Sequence, residues 1–512
     1  MWAFPTSFQH LATALRDLSL IPSIITVFLL CVGYCILWII YCRTLHPLAR
    51  VPVYRMYIGD LEVAQRALHE KYGPLIRIAP NEVMSSDPSA IPLIYTTHNA
   101  LPKTSWYTSF STDGISEHAD LFTETDEVKH TRYRKVVQPA YQMSSILKNE
   151  GMMDECTTML LQKLDEFAMR NKDVDLMHWL ELYTHDVIGH VIFGRSFGFL
   201  ESGTDVGSFI ESVASAMPLV HFIAVAPTYL RKPILYGAMA LPTTLKCFKA
   251  VRHMAEQGKQ QVSVRMHDSY EENINRPDIM SQLLSRTQNG KTWFTDKEVT
   301  LESWTSLMVG ADPVAVHLCA VLYYLMRHPA YLFKATQEIR HVDAQNLLSN
   351  PITFAEATKH LPYVSTCIKE ASRLFPSTGA SMPRVAPAQG ITLSGFYIPA
   401  GYHVGVSPPV IQHDKGLFGE DAGHFRPERW LESAERNRAM DKGMVVYGAG
   451  TRICAGKNIA LAEGHKLVPE LLRRFDMQRA HDRPWKTRNA GFIKQKDVIV
   501  KLASVRSGGG VA

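Results

Sequence analysis

Near the C-terminus the chain reads Tyr447-Gly-Ala-Gly-Thr-Arg-Ile-Cys-Ala-Gly456, followed by a helical pattern from Lys457 to Leu472. Gly448, Gly450 and Gly456 around Cys454 suit a tight loop whose backbone amides approach the sulfur. A position just ahead of a helix favours the thiolate, because free amides and the N-terminal dipole lower a thiol pKa from about 8.5. A lone cysteine is otherwise most often an inert, buried small hydrophobe. A nucleophilic cysteine wants a partnered His, and a metal cluster wants further Cys or His at short spacing; neither stands nearby in sequence. One thiolate, Arg452 two residues before it and a glycine-lined loop fit a haem iron ligand with a propionate partner.

Three other patterns could do chemistry. His130 and Arg134 are four apart, so a helix puts both on one face, where an anionic ligand or plain solvent could meet them. Glu370 and Arg373 are three apart, a spacing that by itself is most often a solvated contact worth a few tenths of a kcal/mol. Asp312 stands in the apolar run from Leu307 to Val316 and is followed by Pro313. An acid in such surroundings is either a helix acid of no consequence or a paired, functional one.

These residues need a mainly helical body. Met152–Ala168, Leu176–Phe193 and Val299–Met326 carry helical periodicity, the last opening with the capping box Thr295 and Glu298. Leu75-Ile-Arg-Ile and Val83-Met-Ser across Pro80-Asn81 read as a hairpin, and a second sheet segment spans Ile391 to Val406 with turns at Ser394-Gly395 and Ala400-Gly401. The 512 residues would ordinarily suggest roughly three domains, yet no repeat or low-complexity linker divides them. Hydrophobic residues at 46% and charged ones at 20% exclude disorder and fibres. A net charge of +5 is too slight to argue for nucleic acid, and eight cysteines make no disulfide framework.

No charge falls between Leu18 and Cys42, enough length to cross a bilayer core of about 30 Å. Arg43, Arg50 and Arg55 downstream put the large body on the cytosolic side. The expected layout is a short segment 1–17, a transmembrane anchor 18–42, a hinge 43–55 and a catalytic domain 56–512. Ala216–Leu230 is a second apolar run, too short and too proline-interrupted to span, which reads equally as a buried helix pair or as an element dipping into the membrane.

The Cys454 loop resembles the haem-binding loop of the cytochrome P-450 family, with Tyr447 where the family usually has Phe. Glu370-Ala-Ser-Arg373 is similar to the family's Glu-x-x-Arg pair, and Phe425-Arg-Pro-Glu-Arg429-Trp resembles its downstream segment. That likeness implies a buried triad of Glu370, Arg373 and Arg429, since a buried charge must be paired. His130-Thr-Arg-Tyr-Arg134 and Met382-Pro-Arg384 resemble segments whose His and Arg side chains reach haem propionates. Tyr72-Gly-Pro and Asn81-Glu-Val are similar to membrane-bound fungal members. Over the haem the family carries Gly-x-Asp/Glu-Thr, and here Gly310 and Asp312 are followed by Pro313 where the catalytic threonine would stand.

The resemblance implies a single large P-450 fold, mainly α with small β-sheets, holding haem b through Cys454. It implies a monooxygenase of an apolar small molecule, fed by NADPH through a partner flavoprotein, NADPH-cytochrome P-450 reductase. It places the protein as a single-pass resident of the endoplasmic reticulum membrane, in fungal secondary metabolism of a terpenoid, polyketide or alkaloid. Lys129, Arg132, Lys135 and Lys457 are candidates for a basic docking face. The missing threonine keeps open a reductase-independent rearrangement or dehydration, and a non-catalytic haem- or lipid-binding scaffold is the remaining alternative.

Overall fold

The computed structural model describes residues 59–505 apart from 80, 112–115, 266–274 and 288–292, together with scattered positions between 25 and 40. The expected anchor and hinge therefore lie largely outside the described residues. The helices that place the site are α1 (Leu61–Tyr72), α2 (Glu127–Val137), α3 (Glu150–Met169), α4 (Leu176–Phe193), α5 (Phe209–Val225), α6 (Thr228–Met239) and α7 (Pro242–Arg265). They continue with α8 (Ile279–Thr287), α9 (Asp296–Gly310), α10 (Asp312–Arg327), α11 (Pro329–Ala344), α12 (Pro362–Leu374) and α13 (Lys457–Arg474).

Four small sheets trim this bundle. Strands β1 (Leu75–Ala79) and β2 (Glu82–Ser85) form the expected hairpin, while β3 (Val174–Asp175) starts the run into α4. β4 (Arg384–Val385), β5 (Ile391–Leu393), β6 (Phe396–Ile398) and β7 (His403–Val406) follow α12; β8 (Phe475–Arg479), β9 (Lys486–Asn489), β10 (Ile493–Lys496) and β11 (Ile499–Ser504) follow α13. The orders are β1-β2-β7-β4, β3-β11-β8, β5-β6 and β9-β10.

One expectation is corrected here. Residues 391–406 are not one sheet segment: β5 and β6 pair through the Ser394-Gly395 turn, but β7 leaves them to lie parallel to β2. Val404 and Val406 are fully buried, so β7 gains an interior position that the exposed Phe396 and Tyr397 of β6 do not have. The Gly401 turn, at φ 78°, makes the departure.

The core is built on α4 and the α9–α10 pair. Asp175 caps α4 and Gly194 ends it in the left-handed region, and nearly every residue between is buried. Helix α9 begins with the expected capping box: Thr295 N–H donates to Glu298 Oε2 at 2.7 Å. The expected helix from Val299 to Met326 divides at Ala311, because Pro313 has no N–H for the Val309 carbonyl. Pro313 then falls in the first turn of α10, where its missing N–H costs nothing. Among the described residues Val206–Val225 and Asp296–Arg327 are long and apolar enough to cross a membrane; the second is this core pair, packed on several sides by protein.

Candidate active site

The cysteine loop is shaped by its glycines. Gly448 and Gly450 adopt φ of 74° and 67°, and a Cβ on Gly450 would sit 2.4 Å from the Tyr95 carbonyl oxygen, so no larger residue fits. Cys454 N–H donates to the Tyr447 carbonyl at 2.8 Å and closes the loop. Amides of Gly456 and Lys457, at the start of α13, point at the sulfur. The expected thiolate is not what these groups alone produce. Burial raises the Cys454 thiol above its ordinary value, outweighing both amides and the charge of Arg134. A coordinated metal ion would supply the missing deprotonation.

Although enclosed by protein atoms, Cys454 is exposed, the condition of a group that lines an internal cleft. Val309, at the end of the core helix α9, is 47% exposed. No group of three or more His, Cys, Asp or Glu side chains among the described residues could hold a bare metal ion. The single thiolate therefore suits an ion that brings its own equatorial ligands.

Buried bases gather beside this cleft. Arg134 donates to the Ile453 carbonyl at 2.7 Å, and Lys103 lies opposite Arg384 in a backbone β-bridge. Burial, with like charge from Arg452, Lys103, Arg134 and Arg384, pushes His130 down to about 2, and Lys103 falls well below its usual range. His130 Nδ1 is buried without a hydrogen-bond partner among the described residues. Such a cluster is incomplete without an anion, and the two carboxylates of haem b fit it. Arg452, expected on a propionate, is instead held by Glu127 at 2.6 Å and the Glu124 carbonyl at 2.7 Å; Arg384 donates to Tyr107 Oη at 2.9 Å. Lys103 was not legible as a site residue, since its loop has no motif or period.

Glu370, Arg373 and Arg429 meet, all fully buried. Arg373 grips Glu370 through Nε at 2.9 Å and Nη2 at 2.7 Å, and Arg429 Nε reaches Oε1 at 2.9 Å. Trp430 Nε1 adds a fourth bond at 2.9 Å, a partner the sequence reading did not include.

A model of the cytochrome P450 family matches residues 52–501. The chain belongs to the cytochrome P450 family. Several fungal proteins are similar to it: it is 43% identical over 374 residues to the cytochrome P450 monooxygenase ACRTS1 of Alternaria alternata, covering 72% of this chain and 98% of that one. It is 36% identical over 488 residues to the cytochrome P450 monooxygenase gsfF of Penicillium aethiopicum, covering 92% and 96%, and 30% identical to pisatin demethylase of Fusarium vanettenii, covering 90% of each. This P450 is an oxidoreductase of the monooxygenase type, and its family binds haem.

On the other side of the cleft lies the kink. A side chain at Gly310 would meet Ile188 of α4 at 2.9 Å, so the glycine lets α4 close on the kink. Asp312 is paired rather than solitary: Lys494 of β10 stands 3.6 Å from its carboxylate. Glu302, ten residues earlier on α9, is also buried, and burial with the charge of Asp120 pushes it up to about 8. Trp106, Phe110, His221 and Phe492 pack into one aromatic cluster, with ring centroids 4.8 to 5.7 Å apart.

Proposed function

We propose that this P450 is a haem-thiolate monooxygenase of fungal secondary metabolism, inserting one oxygen atom into an apolar, ring-containing small molecule. The observation that supports it most is the pairing of an enclosed yet open Cys454 with a buried basic cluster lacking its anion. Cys454 would hold the iron, and His130, Arg134 and Arg384 the propionate edge, with Arg452 held behind them by Glu127. When bound, haem supplies thiolate-assisted activation of dioxygen. The overall balance is substrate, dioxygen, NADPH and one proton in, and hydroxylated product, NADP and water out. The protein's own part is to hold the ring against the aromatic cluster of Trp106, Phe110, His221 and Phe492, exclude water with α9 and α10, and pass protons from Asp312, with water on the Val309 carbonyl standing in for the absent threonine hydroxyl. Metabolite profiling of a strain lacking this gene tests the substrate class: an accumulated apolar precursor is expected, and an unchanged profile contradicts the reading.

With that precursor, Asp312→Asn should lower product formed per NADPH consumed by about a hundredfold, the lower reach of general acid catalysis. Pro313→Thr should keep or raise the ratio. Native coupling in Asp312→Asn removes the relay, and product formation without NADPH in all three proteins would favour the rearrangement.

Electrons would come from NADPH through a flavoprotein reductase docked on α2, whose Lys129, Arg132 and Lys135 are exposed, with Arg132 stacked 4.1 Å from the Trp293 ring. Residues 18–42 would anchor the protein in the endoplasmic reticulum membrane with the catalytic body in the cytosol. Helix α6 gives a second contact. None of its residues is buried, and Tyr229 and Tyr236 are 66% and 67% exposed. Deleting residues 1–43 should leave haem content near native while retaining part of the membrane association. Adding Tyr229→Ser and Tyr236→Ser should remove most of the remainder in a flotation assay; residual binding that ignores these changes would rule α6 out.

A further inference from the structure

Within the aromatic cluster, His221 has a role still unassigned. It lies on α5, fully buried, with Nδ1 3.0 Å from the Met217 carbonyl one turn back. A carbonyl only accepts, so the proton sits on Nδ1. Burial lowers the pKa of the ring and no carboxylate offsets it, so the imidazole is neutral and Nε2 carries a lone pair. Nε2 is buried without a hydrogen-bond partner among the described residues. An acceptor shut away from water in this state is unfavourable until a donor reaches it.

The surroundings decide what that donor can be. Trp106, Phe110 and Phe492 stand around His221 at ring distances of 5.7, 5.1 and 5.7 Å. Gly491 covers one more side: a Cβ there would stand 1.9 Å from Nε2, 2.1 Å from Cδ2 and 2.7 Å from Cε1. Distances this short to three ring atoms at once are met only over the ring face, so the in-plane lone pair of Nε2 stays clear. The Gly491 backbone is already paired, its N–H with Asn489 Oδ1 and its carbonyl with the Gly379 N–H, both at 2.9 Å. A buried water typically keeps about three polar partners, and the cluster offers only Nε2 and the indole N–H of Trp106. The empty place suits a donor carried on an apolar group.

This cluster is tied to both ends of the candidate active site. Trp106 touches Tyr107 at a ring distance of 4.9 Å, and Arg384 of the basic edge donates to Tyr107 Oη. At the other end Lys494, two residues after Phe492, pairs with Glu181 of α4 and with Asp312 at the kink. Trp106, Phe110 and Phe492 are half-buried, which leaves apolar faces for a flat ligand.

We propose that His221 selects the substrate by accepting a hydrogen bond at Nε2 from a phenolic or enolic hydroxyl on the substrate's ring. The inference rests on the reading that the aromatic cluster holds that ring. A bare apolar ring leaves the acceptor buried and unpaired, and an ether or ketone at the same place sets a second acceptor against it. The hydroxyl fixes how the ring is turned and need not be the position that reacts.

The test is equilibrium dialysis of the full-length, haem-loaded protein against two compounds that share one ring system, 2-naphthol and 2-methoxynaphthalene. The native protein should bind 2-naphthol about tenfold or more tightly than the ether, the usual consequence of leaving a buried acceptor unpaired. His221→Phe keeps an aromatic ring without an acceptor, so the preference should vanish. His221→Gln, whose amide oxygen still accepts, should keep part of it. Haem content is read alongside, and His221→Leu repeats the comparison if the first variant does not load haem. Equal affinity for the two compounds in the native protein overturns the proposal and needs no variant. A full preference in His221→Phe overturns it as well, because the hydroxyl then has its partner elsewhere. Phe492→Ala should weaken both compounds alike. Native binding of both in Phe492→Ala, or no binding of either to the native protein, defeats the reading that the cluster holds the ring and the proposal with it, whereas equal affinity defeats the proposal alone.

Discussion

Cys454→Ala is expected to abolish turnover and the red-shifted band of the reduced carbon monoxide complex, while leaving the fold near native. The sulfur makes few structural contacts that an alanine would forfeit, since the loop is held by its backbone: Cys454 N–H to the Tyr447 carbonyl, and Thr451 N–H to the Thr96 carbonyl at 3.4 Å. What is removed is the only thiolate that the loop presents to the cleft, and with it the electron donation that haem-thiolate chemistry needs. Cys156, Cys319 and Cys367 are buried, with thiols pushed above their ordinary range by burial, so none can take over. Retention of the red-shifted band in the variant would remove Cys454 as the ligand. Loss of all secondary structure would instead assign it a structural role.

Glu370→Ala should cost about 3–5 kcal/mol, the usual result of breaking a buried ion pair by deleting one partner. Three side chains lose a bond at once: Arg373, Arg429 and Trp430. The two arginines keep backbone carbonyls, from Gln412 and Ala422 for Arg373 and from Phe418 for Arg429, but the charge between them is gone. A loss of that size is a large part of the roughly 5–15 kcal/mol that holds a typical domain. Thermal unfolding and haem content should both fall sharply, with Glu370→Gln intermediate because an amide oxygen still accepts one arginine. Native stability in Glu370→Ala would mean that the triad contributes little to holding this face.

The Cys454 loop was legible because glycine spacing and a following helix are local signals, and the Glu370–Arg373 contact because three residues is one helical turn. Arg429 and Arg384 were reached only through resemblance, since nothing local links them to their partners. Lys103, Trp430, Glu181 and Lys494 escaped notice for the same reason: Lys494 meets Asp312 across 182 positions of chain, and no periodicity encodes such a contact. The amides at the start of α13 lower the Cys454 thiol as expected, while its enclosure, which no local pattern encodes, raises it. The β7 exchange was invisible because Val404 and Val406 fit a hairpin strand as well as an interior one.

The central claim is oxygen insertion at a Cys454-held haem, and isotopically labelled dioxygen tests it most directly. The native protein, reconstituted with reductase, NADPH and the precursor that accumulates in the deletion strain, should place one labelled atom in each newly oxygenated product and the other in water, with none incorporated by Cys454→Ala. Product formed at the native rate without label, or formed equally by the alanine variant, would contradict it.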